Sequence, residues 1–199
     1  VFETKKDPKS LTDFLRERLG GVLNAIAGFL LKIGLTANAV TLIGLAGHFL
    51  AAFFLARGQV TLAGVVLLVL APADALDGSM ARMQGEIKPF GAFLDSVTDR
   101  YAELVIFGGL LLYYIPQGNM LACVLVYLAM MGALMVSYSR ARAEAVGIEC
   151  KVGILTRVER YIVLIPSLLL NIPIVGAGII ALFANITAMQ RIMRVRRDG

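Results

Sequence analysis

Four aspartates, two glycines and an arginine within one short stretch carry the chemistry of this chain. Asp74 to Asp99 reads DALDGSMARMQGEIKPFGAFLDSVTD. Asp74, Asp77, Gly78, Ala81 and Arg82 fall at i, i+3, i+4, i+7 and i+8, which is one stripe of a helix. Gly91, Asp95 and Asp99 recur every four residues, again on one face. Gly85 to Lys88, followed by Pro89, separates the two helices. A tight turn there lets the faces meet and converges four carboxylates. Carboxylates at close range repel unless something positive sits among them. Clustered oxygen ligands of this kind suit Mg²⁺ or Mn²⁺, and two such ions bridged by carboxylates form an arrangement used for phosphoryl transfer. Gly78 and Gly91 let a ligand approach the backbone, and Arg82 is placed to hold a phosphate oxygen. The competing reading is four solvated or salt-bridged acids at helix ends. It fits poorly with apolar flanks, where lone acids are costly.

The stretch resembles the signature of the CDP-alcohol phosphotransferases, D-x2-D-G-x2-A-R-x8-G-x3-D-x3-D, with all eight fixed positions at the right spacing. The resemblance implies an enzyme that moves a phosphatidyl-type group from a CDP-lipid to an alcohol and releases CMP. It implies metal ligation by Asp74, Asp77, Asp95 and Asp99, with Asp99 also the catalytic base. Asp74, Gly78, Ala81, Arg82 and Gly91 then border the CDP-lipid. Leu35 to Thr41, LTANAVT, is similar to a second family segment, with Ala37 where proline is common. By that resemblance Asn38 and Thr41 contact the cytidine; helix capping by Thr36 or Asn38 is the compatible alternative. A homodimer is implied by the family alone.

A second informative stretch, Ser137 to Arg160, holds Arg140, Arg142, Lys151, Arg157 and Arg160, and Arg191 follows near the end of the chain. Arginines gathered at a membrane cavity are what a phosphate-bearing acceptor needs. Attraction to anionic lipids also explains basic loops, and is preferred for Arg194, Arg196 and Arg197. SYSRARAEAVG, TRVER and the Gln190-Arg191 pair look like the phosphatidylinositol-phosphate synthase branch of the family. In that branch the basic residues at these places hold the acceptor phosphate; carried over, they are Arg140, Arg157, Arg191 and Arg160.

These residues need a scaffold, and composition says which. Apolar residues make up 58% of 199, which points to a membrane protein of one domain, residues 1–199. No removable signal peptide is read, and Val1 is not a natural start. Cys123 and Cys150 show neither disulfide nor metal spacing. The expected fold is an all-α integral membrane protein with six transmembrane helices and an N-terminal amphipathic juxtamembrane helix. Residues 1–9 form a flexible tail. Residues 10–33, opening at Ser10-x-x-Asp13, form the surface helix, with a true span as the competing reading. Residues 37–194 form the bundle, with spans at 37–56, 60–84, 90–115, 119–146, 156–171 and 174–194, most reaching the ~20 residues needed to cross. Arg57-Gly58, Pro116-Gln117-Gly118 and Asn171-Ile172-Pro173 make the tight turns on one side. Of the 19 Lys and Arg, only Arg57 lies on that side; the other 18 lie opposite, with both termini. The positive-inside rule places those 18, and the acid cluster, at the cytoplasmic face of the cell membrane.

The expected reaction is transfer from a CDP-lipid, diacylglycerol-based or an archaeal equivalent, to inositol phosphate, with two Mg²⁺ or Mn²⁺ ions. Membrane lipids are expected partners and nucleic acid is not. Glycerol-3-phosphate, giving phosphatidylglycerol phosphate, is the nearest rival acceptor. A divalent-cation transporter ranks low, because its acids belong near the bilayer midplane. His48, alone in an apolar helix, reads as packed or hydrogen-bonded between helices rather than catalytic.

Overall fold

The computed structural model describes residues 11–85, 89–150 and 152–198, with the side chains of 11–19 and Asp74 outside the description. The tail, Ser10 and most of the Gly85–Lys88 turn therefore lie outside the described residues. Every regular element described is helical: α1 (Leu11–Lys32), α2 (Ala37–Ala56), α3 (Val60–Leu70), α4 (Ala73–Met83), α5 (Pro89–Tyr114), a 3₁₀ turn (Ile115–Gln117), α6 (Met120–Ala145), α7 (Arg157–Leu169) and α8 (Pro173–Asp198).

Four stretches among the described residues are long and apolar enough to cross a membrane: 37–56, 60–83, 120–145 and 173–198. The expected count of six is not reached on that measure, for two physical reasons. α5 carries Asp95, Asp99, Arg100 and Glu103, which lower its hydropathy although it is 26 residues long. α7 has only 13 residues, about 20 Å of helix at 1.5 Å per residue.

The second expected span, 60–84, is not one helix. It breaks at Ala71-Pro72 into α3 and α4, because a proline has no N–H to donate and its ring crowds the carbonyl four residues back. The expected tight turns are present. Gly58 and Gly118 take left-handed backbone, φ 75° and 65°, and so does Asn171 at φ 56°.

The buried core is built from small residues: Ala51, Ala63, Ala122, Ala129, Ala177 and Ala184 are fully covered, while Phe49, Phe53, Leu68, Val69, Leu121 and Leu182 point outward. Small side chains inside and large apolar ones outside is the pattern of helices packing within lipid. α2 lies against α5, α6 against α8, and α3 against α7. A Cβ on Gly109 of α5 would stand 2.8 Å from Ala52 Cα of α2, so only glycine lets these two backbones meet. α1 closes the end of the bundle that carries the signature: Ala27 is buried with Val40 and Met80, between α1, α2 and α4.

Candidate active site

The two signature helices, α4 and α5, meet the start of α2. Thr36 caps α2, its hydroxyl accepting from Ala39 N at 3.2 Å. The capping role thus belongs to Thr36, which leaves Asn38 in the first turn facing α5. A Cβ on Gly91 would stand 3.3 Å from Asn38 Oδ1, so glycine at this position lets the amide approach.

A cavity of ≈ 710 Å³ opens between these three helix ends. Asn38, Thr41, Asp77, Gly78, Ala81, Arg82, Gly91 and Asp95 all line it. Asp77 is buried, 6% exposed. Thr41 Oγ1 lies 2.7 Å from Asp77 Oδ2 and 3.1 Å from the Ala37 carbonyl. Its single proton favours the closer, charged acceptor. Thr41 is therefore an orienter of the Asp77 carboxylate, a role the sequence reading did not include. Arg82 is exposed on the rim and donates to Ser79 Oγ at 2.9 Å.

Asp99 lines a small adjoining recess together with Thr41, Gly44, His48, Thr98 and Arg157. Thr41 borders both spaces. Arg157 Nη1 stands 2.7 Å from Asp99 Oδ1, with both side chains mostly covered. The metal-ligand set fits hard divalent cations by its chemistry, since the carboxylate residues Asp77 and Asp95 line one cavity and Asp77 is held by a neutral donor. Among the described residues no three His, Cys, Asp or Glu side chains form a closed metal cage, and the Asp74 side chain lies outside the described residues.

The four expected acceptor arginines are held in different ways. Arg157 faces the recess. Arg160, 2% exposed, donates from Nε and Nη2 to the two Glu103 oxygens at 2.8 and 2.9 Å and from Nη1 to Leu155 O at 3.2 Å. Its donors are engaged by Glu103 and a backbone carbonyl. Arg100, also on α5, turns to its own helix, with Nη1 2.9 Å from Ser96 Oγ. Arg191, 4% exposed, donates to the carbonyls of Val152 and Val136 and so ties the α6–α7 loop to α8. Thr187 completes that tie, accepting from Ile154 N and Leu155 N at 3.2 and 3.0 Å. Arg140 is exposed on α6 and paired with Glu144 at 2.8 Å. Arg140 and Arg160 lie within electrostatic reach of Arg191, so three guanidinium groups share this end of the bundle.

His48 is buried and hydrogen-bonded between helices, as expected, through Tyr161 of α7. Cys123 and Cys150 are both unpaired thiols.

The family model described as CDP-alcohol phosphatidyltransferase matches residues 34–190. An archaetidylinositol phosphate synthase of Pyrococcus horikoshii is 36% identical over 92% of this chain and 95% of its own length. A phosphatidylinositol phosphate synthase of Streptomyces avermitilis is 33% identical over 95% of this chain and 84% of its own. The fold matches the crystal structure of Mycobacterium tuberculosis phosphatidylinositol phosphate synthase with CDP-DAG bound, with TM-score 0.81, 29% identity, and 88% and 94% of the two chains covered. A crystal structure of that enzyme in complex with manganese and citrate also matches at TM-score 0.81, with 29% identity and 87% and 88% coverage.

Proposed function

The chain belongs to the CDP-alcohol phosphatidyltransferase family, and from that premise we propose that it transfers the phosphatidyl-type group of a CDP-lipid to inositol phosphate, releasing CMP. The observation that carries the acceptor is the meeting of Arg157 with Asp99 in the recess beside the signature cavity. A polyol whose phosphate is held by a guanidinium there brings its hydroxyl groups to a carboxylate that serves as base.

In this reading Asn38 and Thr41 border the cytidine, Gly78, Ala81 and Gly91 leave room for the nucleotide, and Arg82 holds a pyrophosphate oxygen. Asp74, Asp77, Asp95 and Asp99 hold two divalent ions, Mg²⁺ or Mn²⁺. When bound, these ions neutralise charge on the pyrophosphate and the developing transition state. Thr41 keeps the Asp77 carboxylate turned toward the cavity. Asp99 takes the proton from the acceptor hydroxyl. That oxygen forms a bond to the lipid-bearing phosphorus as the bond to the CMP oxygen breaks, and CMP leaves with the electron pair. Arg157, with Arg140 and Arg191, holds the acceptor phosphate. Arg160 anchors α7 through Glu103.

The surrounding architecture is a single membrane domain over residues 1–199. α2, α3–α4, α5, α6, α7 and α8 make six passages and α1 lies on the surface. The site and both termini face the cytoplasm of the cell membrane, and two copies associate as a homodimer. The charge asymmetry supports the orientation and the apolar outer surface the membrane placement, while the homodimer rests on the family resemblance.

The test is an acceptor panel with purified protein and CDP-diacylglycerol, following CMP. Inositol phosphate is expected to support turnover. Turnover with glycerol-3-phosphate and not inositol phosphate would overturn the substrate assignment. Arg157→Gln is expected to raise the acceptor KM roughly ten- to a hundredfold, the effect of losing a charged hydrogen bond, and leave the CDP-lipid KM nearly unchanged.

A further inference from the structure

Tyr161 lies one turn beyond Arg157 on α7, so the two side chains share a face. The Arg157 Cζ stands 5.5 Å from the centre of the Tyr161 ring, within cation–π range. The phenol oxygen is 2.9 Å from His48 Nε2 on α2. His48 Nδ1 is 2.7 Å from the Gly44 carbonyl, which only accepts, so Nδ1 carries the ring proton. In the neutral ring Nε2 is then the acceptor of the Tyr161 hydroxyl proton. The two rings meet edge to face, 5.9 Å between centres at 88°. A continuous run of contacts thus leads from the α2 backbone through His48 and Tyr161 to Arg157, and from there to Asp99.

An apolar pair would join α2 to α7 without burying these polar atoms, and burying them is unfavourable unless they are matched. The arrangement acts instead on a long side chain that loses much rotamer freedom when it grips a ligand. Holding the guanidinium against a fixed ring before the acceptor arrives removes part of that loss. We infer that Tyr161 and His48 are positioning residues for the transfer: His48 fixes the Tyr161 ring, and the ring holds the Arg157 guanidinium where the acceptor phosphate binds. This rests on the reading that Arg157 receives that phosphate.

The test compares Tyr161→Leu, Tyr161→Phe, His48→Leu and Arg157→Gln in detergent, measuring both Michaelis constants, kcat and Tm with CDP-diacylglycerol and inositol phosphate. Tyr161→Leu removes the ring and is expected to raise the acceptor KM about three- to thirtyfold. The CDP-lipid KM should stay within about twofold, a difference of less than half a kcal/mol. Tyr161→Phe keeps the ring and loses only the tether to His48, so its rise should be smaller. Adding His48→Leu to Tyr161→Phe should change the acceptor KM no further, because both remove one hydrogen bond. That pair carries the test if Tyr161→Leu does not fold. An unchanged acceptor KM in Tyr161→Leu, an equal rise in both constants, a loss confined to kcat, or additive effects of Tyr161→Phe and His48→Leu overturns the inference. If Arg157→Gln raises the acceptor KM and Tyr161→Leu does not, only the positioning role falls. If neither moves it, the acceptor reading falls as well.

Discussion

Asp77 is the residue on which the signature cavity turns. It is buried, it receives the Thr41 hydroxyl, and it shares the cavity with Asp95. An isolated buried carboxylate is costly, and a cation among several removes that cost. Asp77→Asn or Asp95→Asn keeps the side-chain shape and removes the charge. Each is expected to lower CMP formation by about a hundredfold or more, the range seen when an electrostatic partner of the reacting groups is lost. The variants should elute from size exclusion like the parent. Chelation should abolish turnover and added Mg²⁺ or Mn²⁺ should restore it. Undiminished rates in excess chelator would remove the metals from the mechanism.

The helices hold this chemistry through a ladder between α5 and α7. Asp99 and Glu103 are one turn apart on α5, and Arg157 and Arg160 one turn apart on α7. The upper rung, Arg157–Asp99, borders the recess; the lower, Arg160–Glu103, is sealed in the core. Breaking a buried pair leaves a lone charge, which destabilises by roughly 3–5 kcal/mol, whereas replacing both partners with apolar groups is often nearly neutral. Glu103→Leu is therefore expected to lower Tm by several degrees and reduce the folded yield. The double variant with Arg160→Leu should recover most of the loss. Equal Tm values for parent and Glu103→Leu would show that the rung contributes nothing to holding α7. The break at Pro72 belongs to the same scale. It separates α4 from α3, so α4 packs on α1 and α2 rather than continuing beside α7.

At the scale of the molecule the lopsided charge is the main constraint. In the six-span reading 18 of the 19 Lys and Arg, and the signature aspartates, fall on one side of the spans. A cysteine placed at Gln117 is expected to react with an impermeant reagent only from outside the cell, and one at Gly85 only from inside. The opposite pattern would invert the orientation and remove the cytosolic site. The outward-facing apolar side chains, among them Phe49, Phe53 and Leu182, agree with a lipid surround rather than water.

The family, the all-helical architecture and most of the signature cavity were legible in the sequence, because they depend on local periodicity and fixed spacing. An aspartate every helical turn lies on one face wherever the helix sits, so Asp77, Asp95, Gly78, Arg82 and Gly91 were placed before their neighbours were known. The tight turns were legible for the same reason, since Gly58, Gly118 and Asn171 stand where left-handed backbone is needed. What tertiary structure decided is which distant side chains meet. Arg157 and Arg160 look alike in TRVER and share a face of α7, yet they sit at different depths: one meets Asp99 at the recess and the other is sealed against Glu103. Thr41 and Asp77 lie 36 residues apart, and His48 and Tyr161 113 apart. No local rule links either pair, because their distance is set by how separate helices assemble around α2. Spacing places residues on a helix face; only the packing of helices chooses what that face meets.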